Sequence, residues 1–123
     1  MKKILIVDDD TRNIFALKAV LRSRGYECVV ATSAQEGISL INSDGQIGVV
    51  LMDMMMPDMD GYEAIAAIRS NPATTKLPVI AVTAQAMQGD REKCLEAGAD
   101  AYISKPIDVD LLVRILDKHT NEA

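Results

Sequence analysis

The sequence predicts a doubly wound α/β domain, with five strands in a parallel sheet and five helices, and three observations carry that prediction. Short apolar runs alternate with amphipathic helical patterns, which is the signature of successive βα units. The chain has 123 residues, a length that suits one domain around one core. No linker, repeat or low-complexity segment interrupts the alternation, so residues 1–123 read as a single domain.

The elements follow in order. Ile4 to Val7 is a buried strand, ended by Asp8, Asp9 and Asp10. From about Thr11 to Arg24, Ile14, Leu17, Val20 and Leu21 fall at helical spacing, and Gly25 ends that helix. Tyr26 to Ala31 is the second strand. Ser33 to Glu36 is a capping-box pattern that opens a helix from about Ala34 to Ile41, before a loop over Asn42 to Gln46. Ile47 to Met52 is the third strand and ends at Asp53. A turn over Pro57 to Gly61 leads into a helix from Tyr62 to Arg69, closed by Asn71-Pro72. Val79 to Val82 is the fourth strand, ending at Thr83. Asp90 to Ala97 is helical and Gly98 terminates it. Ala101 to Ile103 is the fifth strand, ending in Ser104-Lys105-Pro106. Asp108 caps a last helix with an apolar stripe of Leu111, Leu112, Ile115 and Leu116.

Composition narrows the function. Residues are 49% apolar and 25% charged, ordinary for a globular chain. The formal net charge is −5, which argues against nonspecific binding to nucleic acid or anionic membrane. No apolar stretch approaches the roughly 20 residues that span a bilayer. The start, MKKILIVDDDT, is too short in apolar residues for a signal peptide, so a cytoplasmic protein is expected. Cys28 and Cys94 lie in no metal-like spacing and read as small buried or half-buried apolar residues. His119 sits in the final turn of the last helix, where positive charge is favourable; no nucleophile pattern surrounds it.

The segment VVLMDMMMPDMDG poses the functional question, because Asp53 puts a carboxylate at the tip of a buried strand at a desolvation cost. Asp58 and Asp60 read as turn acids. In open α/β sheets, ligands bind beyond the carboxyl ends of the strands. There the sequence places Asp8, Asp9, Asp10, Asp53, Thr83 and Lys105. Clustered carboxylates need a cation to stay ionised together, and Mg²⁺, a hard oxygen-seeking ion, answers that need. Asp53 can then act as a nucleophile on phosphorus, with Lys105 and the metal stabilising the transferring group and Thr83 donating to a phosphoryl oxygen. Taken singly, the acid pair would read as a helix cap, Thr83 as a strand-end hydroxyl and Lys105 as a solvated loop lysine. Four strand ends with complementary groups favour the joint reading. Asp10 is the weakest member and is expected to cap the first helix. The thioethers of Met54, Met55 and Met56 do not suit Mg²⁺, though the Met55 carbonyl is a hard oxygen donor.

Other acid chemistries fit less well. A calcium loop with Gly61 at its sixth position would run from Met56 to Ala67 and would lack its first acid and its bidentate last one. Phosphohydrolases with an Asp nucleophile usually carry an acid two residues on, where Met55 stands. After the first strand, DDDTRN replaces any phosphate-binding glycine loop. Three Tyr, one Phe and no Trp leave little stacking surface for a flavin.

Over essentially its whole length the sequence resembles the receiver domain of two-component response regulators. The resemblance rests on Asp8-Asp9 after ILIV, Asp53 in LMDMMMPDMDG, Thr83-Ala84 after VIAV and Lys105-Pro106 after AYIS. It implies a flavodoxin-like fold with strand order 2-1-3-4-5. It also implies that Asp53 takes a phosphoryl group from the phosphohistidine of a sensor histidine kinase or histidine phosphotransfer protein. By resemblance, Asp9, Asp53 and the Met55 carbonyl bind Mg²⁺ directly and Asp8 does so through water. Lys105 contacts the phosphoryl group, Thr83 moves toward it, and Tyr102 is the switch aromatic. A cis Lys105-Pro106 bond and an output surface over about Gln85 to Lys118 are implied as well.

Met55 and Gln85, two positions beyond Asp53 and Thr83, are where receivers vary and tune phosphoryl lifetime; a bulky Met55 would shield the group from water. The chain is read as a phosphoacceptor switch that catalyses only its own phosphorylation and slow hydrolysis. A pseudo-receiver serving as a binding module is the alternative, and a carboxylate-nucleophile phosphatase is disfavoured by Met55. No DNA-binding or enzymatic domain is expected to follow the fifth helix. A stand-alone regulator and a receiver from a hybrid histidine kinase both fit.

Overall fold

The computed structural model describes residues 3–56, 59–84 and 89–120. Its elements are β1 (Lys3–Val7), α1 (Thr11–Ser23), β2 (Cys28–Ala31), α2 (Ala34–Ser43), β3 (Ile47–Asp53), α3 (Gly61–Ser70), β4 (Val79–Thr83), α4 (Asp90–Ala97), β5 (Ala101–Ser104) and α5 (Val109–Thr120). The five strands form one sheet in the order β2-β1-β3-β4-β5, and every neighbouring pair is parallel.

Strand periodicity divides the core in two. Leu5, Val7, Val50, Met52, Val79 and Ala81 point to the face covered by α2, α3 and α4, where Ala34, Ile41, Ala64, Ile65, Ile68 and Cys94 meet them. Ile4, Ile6, Val49, Leu51, Ile80 and Val82 point the other way, onto Ile14 and Leu21 of α1 and Leu112 and Leu116 of α5. Burial on both faces explains why the strands read as continuous apolar runs.

Helix starts follow the caps. Asp10 Oδ1 accepts the Arg12 N–H at 3.0 Å and opens α1. Ser33 Oγ accepts the Glu36 N–H at 3.1 Å. The return bond of that capping box lands one residue earlier than the pattern implies, since the Glu36 carboxylate accepts from Thr32 N–H at 2.7 Å. Asp108 Oδ1 accepts from the Asp110 and Leu111 N–H groups at 3.1 and 3.3 Å. Asp60 is more than a turn acid: it is the N-cap of α3 and accepts the Glu63 N–H at 2.9 Å, so the helix begins at Gly61 rather than Tyr62.

β2 is shorter than the apolar run suggests. The Tyr26 N–H closes the end of α1 on the Leu21 carbonyl at 3.1 Å, and its hydroxyl hydrogen-bonds Asp117 of α5, which leaves pairing to begin at Cys28. α2 continues two residues past Ile41, to Ser43. Pro57 and Asp58 of the expected turn, and Gln85, lie outside the described residues.

Candidate functional site

Strand order places β1 beside β3, with β4 and β5 following, so the carboxyl ends of β1, β3, β4 and β5 form one continuous edge. Asp8 follows β1, Asp53 ends β3, Thr83 ends β4 and Lys105 follows β5. Between β1 and β3 the connections run to opposite faces, which is the switch point where such sheets open a crevice.

The carboxylates of Asp8, Asp9 and Asp53 offer oxygens that all lie within 4.8 Å of one another. Asp8 and Asp53 are buried, at 6% and 5% exposure, and Asp9 is exposed. Each buried acid is partly satisfied by the turn that follows it. Asp8 Oδ1 accepts the Asp10 N–H at 2.9 Å, and Asp53 Oδ1 accepts the Met55 N–H at 2.9 Å. The second oxygens face Lys105, whose ammonium donates to Asp8 Oδ2 at 3.2 Å and stands 3.8 Å from Asp53 Oδ2.

Burial pushes the Asp53 carboxyl above the ordinary range, and the neighbouring Asp8 charge adds to that. The Met55 N–H and the Lys105 ammonium pull in the opposite direction. Lys105 itself is positioned by backbone, since its N–H donates to the Thr83 carbonyl at 2.7 Å, and the Lys105-Pro106 peptide is cis. Thr83 is buried at 2% and pairs in register with Ser104 of β5.

Three hard carboxylates in one partly solvated cluster form a donor set suited to a divalent oxygen-seeking cation. The arrangement therefore gathers Asp8, Asp9, Asp53, Thr83 and Lys105. It leaves out Asp10, whose carboxylate caps α1. Met54 and Met56 are buried at 2% and 6%, whereas Met55 is 54% exposed beside Asp53. Tyr102 is half-buried on β5 and lines a groove of about 270 Å³ between α4 and α5, with Leu95, Ile115 and Lys118. His119 borders the same groove from the last turn of α5.

Two features escaped the sequence. Asp60 carries a readable signal, an acid three residues before Glu63 at a helix start. Arg69 carries none. Its guanidinium donates to the Thr75, Leu77 and Gly98 carbonyls and pairs with Asp100, partners up to 31 residues distant.

The family described as response regulator receiver domain matches residues 4–117. The sensor histidine kinase RcsC of Escherichia coli K12 is 40% identical over 113 residues, covering 92% of this chain and 12% of that protein. The polar-differentiation response regulator DivK of Brucella ovis is 32% identical and matches 99% of this chain and 98% of its own. The receiver domain of a sensor histidine kinase from Pseudomonas aeruginosa, solved with a magnesium ion coordinated in its active site cleft, superposes with a TM-score of 0.84 at 36% identity, covering 98% of each chain. The chain spans only 7% to 14% of the histidine kinases it matches. Among the described residues no helix is long and apolar enough to cross a membrane.

Proposed function

The chain belongs to the response regulator receiver domain family of two-component systems, and from that premise we propose that Asp53 is its phosphoacceptor. Receiver domains are generally non-catalytic signalling domains, and relatives of this one are histidine kinases and response regulators. The observation that carries the proposal is the convergence of Asp8, Asp9 and Asp53 beside Lys105 and Thr83 at one sheet edge.

An Asp53 carboxylate oxygen attacks the phosphorus of a phosphohistidine on a sensor kinase or phosphotransfer protein. The P–N bond breaks, the imidazole leaves with its electron pair and takes a proton, and an aspartyl phosphate forms. Asp53 must be ionised to attack. Lys105 and the Met55 N–H favour that state against the cost of burial. Lys105 then neutralises phosphoryl charge, and the Thr83 hydroxyl donates to a phosphoryl oxygen. A magnesium ion held by Asp8, Asp9, Asp53 and the Met55 carbonyl would supply the positive charge that lets three acids and a phosphoryl group share the site.

The aspartyl phosphate carries up to about two negative charges where the ionised Asp53 carried one. It can shift an equilibrium only by interacting differently with two arrangements. Thr83 and Tyr102 provide them, and the signalling surface is the last two strand-helix units, of which residues 85–88 lie outside the described set. The chain turns over no external substrate in this reading, and its only hydrolysis is slow loss of its own phosphoryl group.

The test is intact-mass analysis after incubation with acetyl phosphate and Mg²⁺, beside Asp53→Asn and a chelator control. One added phosphoryl group that needs both Asp53 and metal is the expected result. No adduct, even from a phosphorylated donor protein, would leave a pseudo-receiver that acts only by binding.

A further inference from the structure

The run Met52-Asp53-Met54-Met55-Met56 surrounds Asp53 with thioethers, and the fold treats them unequally. Met52, Met54 and Met56 are buried in the core on the side of the sheet that α2, α3 and α4 cover. Met59 is half-buried against the same core. Met55 is 54% exposed, the one exposed methionine among the described residues.

Exposure here does not come with a loose backbone. The Met54 N–H donates to the Val82 carbonyl at 2.9 Å, and the Met55 N–H donates to Asp53 Oδ1 at 2.9 Å. The Met55 backbone is therefore tied to the Asp53 carboxylate, and a polar group added to its side chain stays beside that carboxylate, in solvent. The same group on Met52, Met54 or Met56 would enter the packed core without hydrogen-bond partners.

A thioether takes one oxygen atom from a two-electron oxidant. The sulfur lone pair attacks one oxygen of a hydroperoxide, the O–O bond breaks, and the S–O bond of a sulfoxide forms. The other oxygen leaves with the electron pair and collects the hydroperoxide proton, as water or an alcohol. Sulfur is oxidised by two electrons and the peroxide is reduced by two. An uncharged hydroperoxide also meets no Coulomb barrier at an edge where Asp8, Asp9 and Asp53 gather oxygens within 4.8 Å of one another.

We propose that Met55 is a reversible oxidation site for hydroperoxides, and that its sulfoxide shortens the lifetime of the phosphoryl group on Asp53. The thioether is apolar; the sulfoxide carries a hydrogen-bond-accepting oxygen that holds water where the thioether excludes it. Oxidation leaves the Met55 N–H and carbonyl untouched, so the backbone that serves Asp53 is kept. The effect on lifetime rests on the Asp53 reading; the selectivity of oxidation does not.

The test treats the full chain with hydrogen peroxide under native conditions and times sulfoxide formation at each methionine of the run by fragment-ion mass spectrometry. Met55 is expected to oxidise about ten-fold faster than Met52, Met54 and Met56, a difference that vanishes in urea. The oxidised protein, phosphorylated with acetyl phosphate and Mg²⁺, should lose its phosphoryl group several-fold faster than untreated protein. A methionine sulfoxide reductase should restore the slower decay. Met55→Leu has no sulfur at that position and should decay alike before and after peroxide, which separates Met55 from the two cysteines and the other methionines. Comparable native oxidation rates across the run would overturn the site. So would unchanged decay in the oxidised parent, or an acceleration that persists in Met55→Leu; either result leaves Asp53 as the phosphoacceptor. No phosphoryl group on untreated protein would instead overturn the Asp53 reading, and the effect on lifetime with it.

Discussion

Gly61 offers a sharp test of how the strand-end loop is packed. Replacing a helical glycine with alanine ordinarily stabilises, by about 0.5–1 kcal/mol, because the unfolded chain loses freedom. At Gly61 the sign should reverse. A Cβ built there stands 2.7 Å from Met54 Cα, a backbone atom that no rotamer change can move, and closer still to Met54 Sδ. Met54 is 2% exposed and follows Asp53 directly, so it cannot retreat into solvent. Overpacking of this kind costs about 1–3 kcal/mol, which outweighs the propensity gain and leaves a net loss of roughly 1–2 kcal/mol. For a domain of this size that lowers Tm by roughly 5–10 °C. The control is Gly45→Ala, where nothing lies within 4 Å of the new Cβ and φ is not positive, so stability should rise by about 0.4–1 kcal/mol. Both variants are read by calorimetry and urea titration. A Gly61→Ala protein that melts at or above the parent would refute the packing argument.

Three further outcomes are expected. Lys105→Met leaves Asp8 and Asp53 facing each other without their shared cation, a loss of about 1–3 kcal/mol once the 23% exposure of Lys105 is allowed for. Urea unfolding in chelator should show that loss and added Mg²⁺ should narrow it; equal stability of variant and parent in chelator would dismiss the ion pair. All three tyrosines resist ionisation, chiefly through desolvation: Tyr26 and Tyr62 are pushed up to about 12 and Tyr102 is raised as well. Their phenols stay protonated in the folded chain above pH 10 while the unfolded chain loses its protons, so stability is full below about pH 10 and falls toward pH 12. Phenolate absorbance should therefore lag the ordinary tyrosine curve, and a normal midpoint near pH 10 in the folded protein would contradict the burial. Finally, the phosphorylated protein should lose its phosphoryl group more slowly than a Met55→Asn variant in a timed intact-mass assay. Equal or slower decay in the variant would end the idea that the thioether shields Asp53.

The sequence by itself determined the alternation of strands and helices, most helix starts and the polar residue at each strand end. Those features are local. An apolar run bounded by turn residues, or an acid two or three positions before an unpaired N–H, is written in neighbouring residues and survives any tertiary arrangement. Family resemblance supplied the strand order 2-1-3-4-5, which periodicity alone could not choose among alternatives, and the sheet has that order.

Tertiary structure decided what depends on distant partners. That Lys105 faces Asp8 across 97 positions, and that Arg69 reaches from the end of α3 to fasten α4, follow from strand adjacency and crossover direction, and no short window encodes either. Tyr26 shows the same limit in one residue. It looks like strand, because it is aromatic and precedes an apolar run, yet its backbone closes α1 and its hydroxyl pairs with Asp117. Local propensity is worth a few tenths of a kcal/mol per residue, and a buried or long-range hydrogen bond of about 1 kcal/mol overrides it wherever the fold brings the partners together.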